Sequence, residues 1–225
     1  MIRLAVLDMA GTTVRDDGIV ERCFEEALGD MGITVADARW PTFLDVVHET
    51  MGRRKIDVFR GLFGDEEEAQ RGNAAFETAI MARIGRGEIE ALPGAVDAIA
   101  ELRARDVKVC LTTGFSGETQ QALVDHLGWS DLVDLTLSPG GASGRGRPYP
   151  DLVLNAVLRM RIDDVRAVAV AGDTANDLLS GWRAGASIVA GVLTGAHSSA
   201  ELAEAPHTHI LPSVADLPAV VFQAG

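Results

Sequence analysis

Residues 4–13 read Leu4-Ala5-Val6-Leu7-Asp8-Met9-Ala10-Gly11-Thr12-Thr13. An apolar run stops at a carboxylate, and a glycine and two threonines follow. Unbroken rather than alternating hydrophobicity suits a strand buried on both faces of a parallel sheet. The same arrangement recurs downstream. Residues 107–111 run into Thr112-Thr113-Gly114, residues 167–171 into Gly172-Asp173, and residues 188–193 into Thr194-Gly195. Residues 132–137 and 208–211 are weaker strand candidates.

Helical periods lie between these runs. After Pro93, residues 94–105 space Val96, Ile99, Ala100 and Leu102 along one side of a helix. Residues 117–128 do the same with Leu123, Val124 and Leu127 and close at Gly128. Residues 150–160 repeat the pattern through Leu152, Val153, Ala156, Val157 and Met160. Strands alternating with helices predict an α/β fold, a doubly wound, Rossmann-like parallel sheet.

One interval breaks the rhythm. From Asp8 to Val107 the chain is far longer than the ~30 residues of a crossover unit. Within it, Phe24, Ala27, Leu28 and Met31 keep helical spacing. So do Phe43, Val46 and Val47, then Ile56, Phe59, Leu62 and Phe63, and finally Phe76, Ala79, Ile80 and Ile84. The expectation is an inserted all-α cap over 15–91, with the core formed by 1–14 and 92–225. Its polar linkers would be Arg15-Asp16-Asp17-Gly18 and Gly85-Arg86-Gly87-Glu88, as a hinged cover requires. Gly140-Gly141-Ala142-Ser143-Gly144-Arg145-Gly146 reads as a loop and lacks the ending of a P-loop.

Composition narrows the function. The 225 residues carry 20 Lys plus Arg against 33 Asp plus Glu, a net charge of −13, which argues against a nucleic-acid partner. Eighteen of the cations are arginines; the two lysines are Lys55 and Lys108. Cys23 and Cys110 have neither disulfide-framework nor metal-ligand spacing. No apolar stretch approaches the ~20 residues of a membrane span, so a cytoplasmic protein with no membrane partner is expected.

Ligands of open parallel sheets bind beyond the carboxyl ends of the strands. Asp8, Thr112-Thr113 and Asp173 all fall there. Two carboxylates brought together repel unless a cation lies between them, and a hard divalent ion such as Mg2+, which takes one or two carboxylates, fits. The plain structural alternative for Asp173 and for Thr112-Thr113 is a helix N-cap. Asp8 has no helix to cap immediately. His48, His197, His207 and His209 lack partners at ligand spacing, and Trp129 and Trp182 read as core or helix-end packing.

Three motifs now carry a resemblance. Asp8-Met9-Ala10-Gly11-Thr12-Thr13-Val14 resembles the nucleophile motif of the haloacid dehalogenase superfamily. Leu111-Thr112-Thr113-Gly114 resembles its phosphate-binding motif, and Gly172-Asp173-Thr174-Ala175-Asn176-Asp177 its metal motif. The resemblance spans essentially the whole chain. It implies that Asp8 is the nucleophile, forming an aspartyl-phosphate. It implies Mg2+ held by Asp8, the carbonyl of Ala10 and Asp173, with Thr12 and Asp177 in support. Thr113, the amide of Gly114 and Arg147 would bind phosphoryl oxygens.

Most phosphatases of the superfamily carry an acid two positions after the nucleophile; here that position is Ala10. Loss of a general acid costs ~10²–10⁴ in rate. Asp-x-Ala-Gly-Thr is the form found in the phosphonatase branch, which cleaves a carbon–phosphorus bond. That branch uses a cap lysine as a Schiff base, so that the departing carbon becomes an enamine. Met51-Gly52-Arg53-Arg54-Lys55 resembles its lysine motif, Lys55 is the inserted segment's lysine, and Arg147 is characteristic of the branch. The amine must be neutral to attack, which like charges from Arg53, Arg54 and the metal site, or burial, could bring about. The branch has His where this chain has Val58, and Tyr where it has Phe115. The resemblance implies a small phosphonate substrate, phosphonoacetaldehyde or another 2-oxoalkylphosphonate. The alternatives are a phosphomonoesterase acting on a metabolite such as phosphoglycolate or a sugar phosphate, and a non-catalytic binding protein. A helical cap is compatible with a homodimer without requiring one.

Overall fold

The computed structural model describes residues 1–141 and 144–223. Its sheet holds β1 (Leu4–Asp8), β2 (Lys108–Thr112), β3 (Leu135–Leu137), β4 (Val168–Gly172), β5 (Ile188–Val192) and β6 (His209–Leu211). The order is β3-β2-β1-β4-β5-β6 and every described pairing is parallel. The apolar runs follow from this arrangement. Ala5 and Leu7 face a core with Ile99, Leu102, Leu123 and Leu217, whereas Leu4 and Val6 face Leu152, Val153, Ala156 and Val157 on the opposite side. Helices α5 (Ala95–Ala104), α6 (Gly117–Leu127) and α10 (Leu217–Gln223) supply the first layer, and α7 (Asp151–Met160) the second. Apolar layers therefore cover both faces of the central strands. The remaining core helices are α8 (Ala175–Ala184) and α9 (Ser199–Glu204).

The chain leaves β1 toward β2 on one side and returns to β4 on the other. This reversal opens a crevice at the carboxyl end of β1, where such sheets bind ligands. Register places Asp8 beside Thr112 and Leu7 beside Ala171. Asp8, Thr113 and Asp173 thus share one edge.

Four helices lie between β1 and α5: α1 (Ile19–Asp30), α2 (Trp40–Glu49), α3 (Lys55–Phe63) and α4 (Glu66–Gly85). Phe24, Phe59 and Phe76 meet at their centre, with ring centroids 5.2 Å apart for Phe24–Phe59 and 4.7 Å for Phe24–Phe76. The segments entering and leaving this bundle run side by side. The amide of Arg15 donates to the Glu90 carbonyl at 2.8 Å and that of Leu92 to the Thr13 carbonyl at 3.0 Å.

Two expectations need correction. Trp182 is 53% exposed rather than packed, because α8 turns Leu178 and Gly181 inward. The strand expected over 132–137 is only Leu135–Leu137; just before it, the Asp134 carboxylate accepts the Val109 amide at 2.8 Å. Trp129 is buried and Gly128 closes α6 in a left-handed conformation, both as expected. In the 140–146 loop, Gly140, Gly141 and Gly144 have positive φ, and Ala142 and Ser143 lie outside the described residues. Among the described residues no helix is long and apolar enough to cross a membrane.

Phe59 is fully buried at the centre of the four-helix bundle. Phe59→Ala should cost ~3–5 kcal/mol of unfolding free energy. Urea denaturation reads this, and a loss below ~1 kcal/mol would contradict a packed aromatic core here.

Candidate active site

Asp8 ends β1, and the chain turns at once. The Met9 carbonyl accepts the amides of Thr12, Thr13 and Val14, and the Thr13 hydroxyl donates to the Asp8 carbonyl at 2.9 Å. Gly11 lies at the apex with φ +84°, where a Cβ would sit 2.5 Å from an Asp173 carboxylate oxygen. Only glycine allows this close approach. The turn thereby brings the main chain after Asp8 against Asp173.

The helix-cap alternative for Asp173 does not hold. Thr174 caps α8 by accepting the Asp177 amide, and Asp177 reciprocates to the Thr174 amide. This capping box frees Asp173 to point elsewhere. Its carboxylate accepts the Ala196 amide at 2.8 Å and the Thr12 hydroxyl at 3.2 Å. Thr112 and Thr113 cap no helix either, since Ser116 does that for α6.

Arg147, 6% exposed, joins several of these groups. Its guanidinium lies 2.7 Å from Asp8 Oδ1 and 2.7 Å from Asp177 Oδ1. It donates to Thr112 Oγ1 at 2.6 Å and to the Gly52 carbonyl at 3.4 Å. The arginine thus contacts the nucleophile candidate, the α8 cap and the Met51–Arg54 turn. Asp177 contributes through Arg147 and Thr174. Thr113 accepts the Phe115 amide at 3.2 Å.

The inserted helices close over this edge. Asn176 Nδ2 donates to the Met51 carbonyl at 2.7 Å and its Oδ1 accepts from Arg53 Nε at 3.2 Å. At Gly114 a Cβ would meet the Arg53 carbonyl at 2.3 Å, so the turn before α3 presses directly on the phosphate-motif loop. His48 on α2 pairs with Glu201 on α9 at 2.9 Å, and His197 accepts the Ala175 amide at 3.1 Å. Sequence spacing carried no signal for these long-range links.

Lys55 opens α3 and is 5% exposed, not part of a solvated basic face. Its amine lies 5.4 Å from the ring centroids of Phe24 and Phe115 and 5.6 Å from that of Phe76. Burial holds its pKa below that of a free lysine, against the pull of Asp16 and Asp8, and the nearby charge that lowers it further is Arg147. Burial pushes the Asp8 carboxyl up to about 7, with Arg147 opposing and Asp177 adding. Asp173 is raised well above the usual carboxylate range, by burial first and then by Asp8.

Asp8, Ala10, Asp16, Lys55, Thr113 and Asp173 line one cavity, as do Gly114 and Arg147. Its free space is about 30 Å³, room for one or two waters. The donor set suits Mg2+. Asp8 and Asp173 offer oxygen donors, and the Asp8 charge adds to the burial that raises the Asp173 carboxyl, which marks a place for positive charge. Among the described residues no three Asp, Glu, His or Cys side chains cluster as ligands. The ion would rest on two carboxylates, a main-chain carbonyl and water, a common Mg2+ arrangement.

A family model of haloacid dehalogenase-like hydrolases matches residues 2–185, and the chain belongs to that family of hydrolases. It is 30% identical over 271 residues to the phosphonoacetaldehyde hydrolase of Pseudomonas aeruginosa, an alignment covering 98% of this chain and 91% of the relative. Two solved structures share the fold. A hydrolase from Pseudomonas syringae has a TM-score of 0.82 at 22% identity, covering 98% of each chain. A phosphonoacetaldehyde hydrolase-like protein from Oleispira antarctica has a TM-score of 0.81 at 24% identity, covering 99% of this chain and 92% of the other.

Mg2+ added to metal-free protein at neutral pH should raise the melting temperature, because binding to the folded state alone stabilises it by about 2.7 kcal/mol at one hundred times Kd. The gain should shrink as the pH falls below about 7, where protons compete for Asp8. It should vanish in Asp173→Asn. A pH-independent rise, or one unchanged in Asp173→Asn, would contradict this site.

Proposed function

We propose that this hydrolase cleaves the carbon–phosphorus bond of phosphonoacetaldehyde or a related 2-oxoalkylphosphonate. The observation that carries the reading is the placement of Lys55 and Asp8 on one cavity, with Ala10 where an acid would serve an ester leaving group. The relatives named phosphonoacetaldehyde hydrolase support it.

The Lys55 amine, whose pKa burial lowers, attacks the substrate carbonyl in its neutral form and forms an imine with loss of water. Protonated at nitrogen, that imine accepts the electron pair of the breaking C–P bond. Asp8 attacks phosphorus, giving an aspartyl-phosphate and an enamine on Lys55. Tautomerisation and hydrolysis return the amine and release the aldehyde product, and water hydrolyses the acyl-phosphate. Arg147, Thr113 and the Gly114 amide orient the phosphoryl oxygens. Arg147 also holds Asp8 in place. Mg2+, held by Asp8, the Ala10 carbonyl and Asp173, would offset the substrate's negative charge. Residues 15–91 act as the cap over a core of 1–14 and 92–225; with so little free space, substrate enters when the cap moves away.

Borohydride added during turnover of phosphonoacetaldehyde should inactivate the enzyme and leave a reduced adduct on Lys55, detected by peptide mass analysis. Lys55→Arg, which keeps the charge but cannot form an imine, should lower kcat by ~10³-fold or more. Full activity in Lys55→Arg without an adduct would overturn the reading. Efficient hydrolysis of phosphoglycolate or sugar phosphates, indifferent to Lys55→Arg, would then favour the phosphomonoesterase alternative.

A further inference from the structure

Imine formation needs proton transfer. The amine must lose a proton, and the carbinolamine hydroxyl must gain one to leave as water. Val58 and Phe115 cannot carry it, and Phe115 packs its ring against the Lys55 amine. Glu77 on α4 is held by the hydroxyls of Ser116 and Thr119. Among the described residues lining the cavity, the acids are Asp8, Asp173 and Asp16. The first two belong to phosphoryl transfer and the metal.

Asp16 lies in the segment between β1 and α1. Its carbonyl accepts the Ile19 amide at 2.7 Å and its Oδ1 accepts the Val20 amide at 2.8 Å, which pins the carboxyl at the first turn of α1. Oδ2 has no hydrogen-bond partner among the described residues. Asp16 and Lys55 interact electrostatically, yet no ion pair within 4.0 Å joins them. Both line the same cavity, which has room for a water. Burial raises the Asp16 carboxyl, against the pull of the Val20 amide, Lys55 on α3 and Arg22 on α1, while Asp17 adds to the rise.

We propose that Asp16 is the acid–base residue for imine formation and hydrolysis at Lys55. The inference rests on Lys55 being the Schiff-base lysine. The nitrogen lone pair forms the C–N bond as the carbonyl π pair moves to oxygen. The Asp16 carboxylate takes the extra nitrogen proton and passes it to the alkoxide oxygen, which gives the carbinolamine. Asp16, protonated again from solvent, then delivers a proton to the carbinolamine hydroxyl, the C–O bond breaks with loss of water, and the nitrogen lone pair closes the C=N bond of the N-protonated imine. Hydrolysis of the product enamine's imine tautomer reverses these transfers.

Asp16→Asn keeps an oxygen for the Val20 amide and removes the titrating proton, which separates chemistry from capping. The assay is the single-turnover rate at which borohydride traps phosphonoacetaldehyde on Lys55. In the wild type an adduct forms. In Asp16→Asn trapping should slow by ~10²-fold or more. In Asp16→Ala, added formate should restore part of the rate. Trapping at the wild-type rate in Asp16→Asn would overturn the proposal while leaving the Schiff base intact. So would slowing in both variants with no rescue by formate, which would mark a structural role. No adduct in the wild type would instead overturn the reading of Lys55, and this inference with it.

Discussion

A guanidinium buried between two carboxylates holds the centre of this molecule together. Arg147 sits 2.7 Å from both Asp8 and Asp177 and reaches the Thr112 hydroxyl and the Gly52 carbonyl as well. Such groups are costly to desolvate, and removing one partner of a buried pair typically costs about 3–5 kcal/mol because the other charge is left stranded. Here the cost is shared among elements that each need the arginine. Asp8 is fixed at the end of β1, the α8 capping box is tied in through Asp177, and the turn before α3 gains an anchor on the core. Arginine's planar fork, with five donors, serves these four acceptors at once, one more than a lysine's three donors could.

In a chain of net charge −13, Arg147 concentrates positive charge at the Asp8 edge. A divalent ion, if held by Asp8 and Asp173 as proposed, would add to it. Arg53 and Arg54, half-buried on the covering turn, extend the same field to the rim. The packing has an electrostatic consequence. With the turn at Met51–Arg54 seated on Gly114, Lys55 lies in a shell of Phe24, Phe76 and Phe115. The rings favour an ammonium and burial opposes it; burial is the larger effect and lowers the Lys55 pKa.

The strand ends were legible because burial on both faces leaves a simple mark, an apolar run that stops at a polar residue. Asp8, Thr113 and Asp173 could be placed on one edge for that reason alone. The cap reading of Asp173 was reasonable by position, and failed because Thr174 is the better cap and Asp177 completes its box. Lys55 stood out through its rarity and the motif around it, though not through any period. The turn at Gly52 directs the start of α3 into the cleft, which no local pattern announces. Asp16 read as linker polarity, and the Asn176–Met51 and His48–Glu201 contacts left no trace. They join residues more than a hundred positions apart, which only the folded geometry brings together.

The central claim is that the buried Lys55 amine, on one cavity with Asp8, gives up its proton more readily than a free lysine. With two lysines in the chain, a 15N-lysine-labelled sample has only the side chains of Lys55 and Lys108 to resolve by NMR, and Lys55→Arg assigns them. Titration of the Lys55 Nζ resonance should give a midpoint well below the free-lysine value of about 10.4. A midpoint at or above that value would contradict the account.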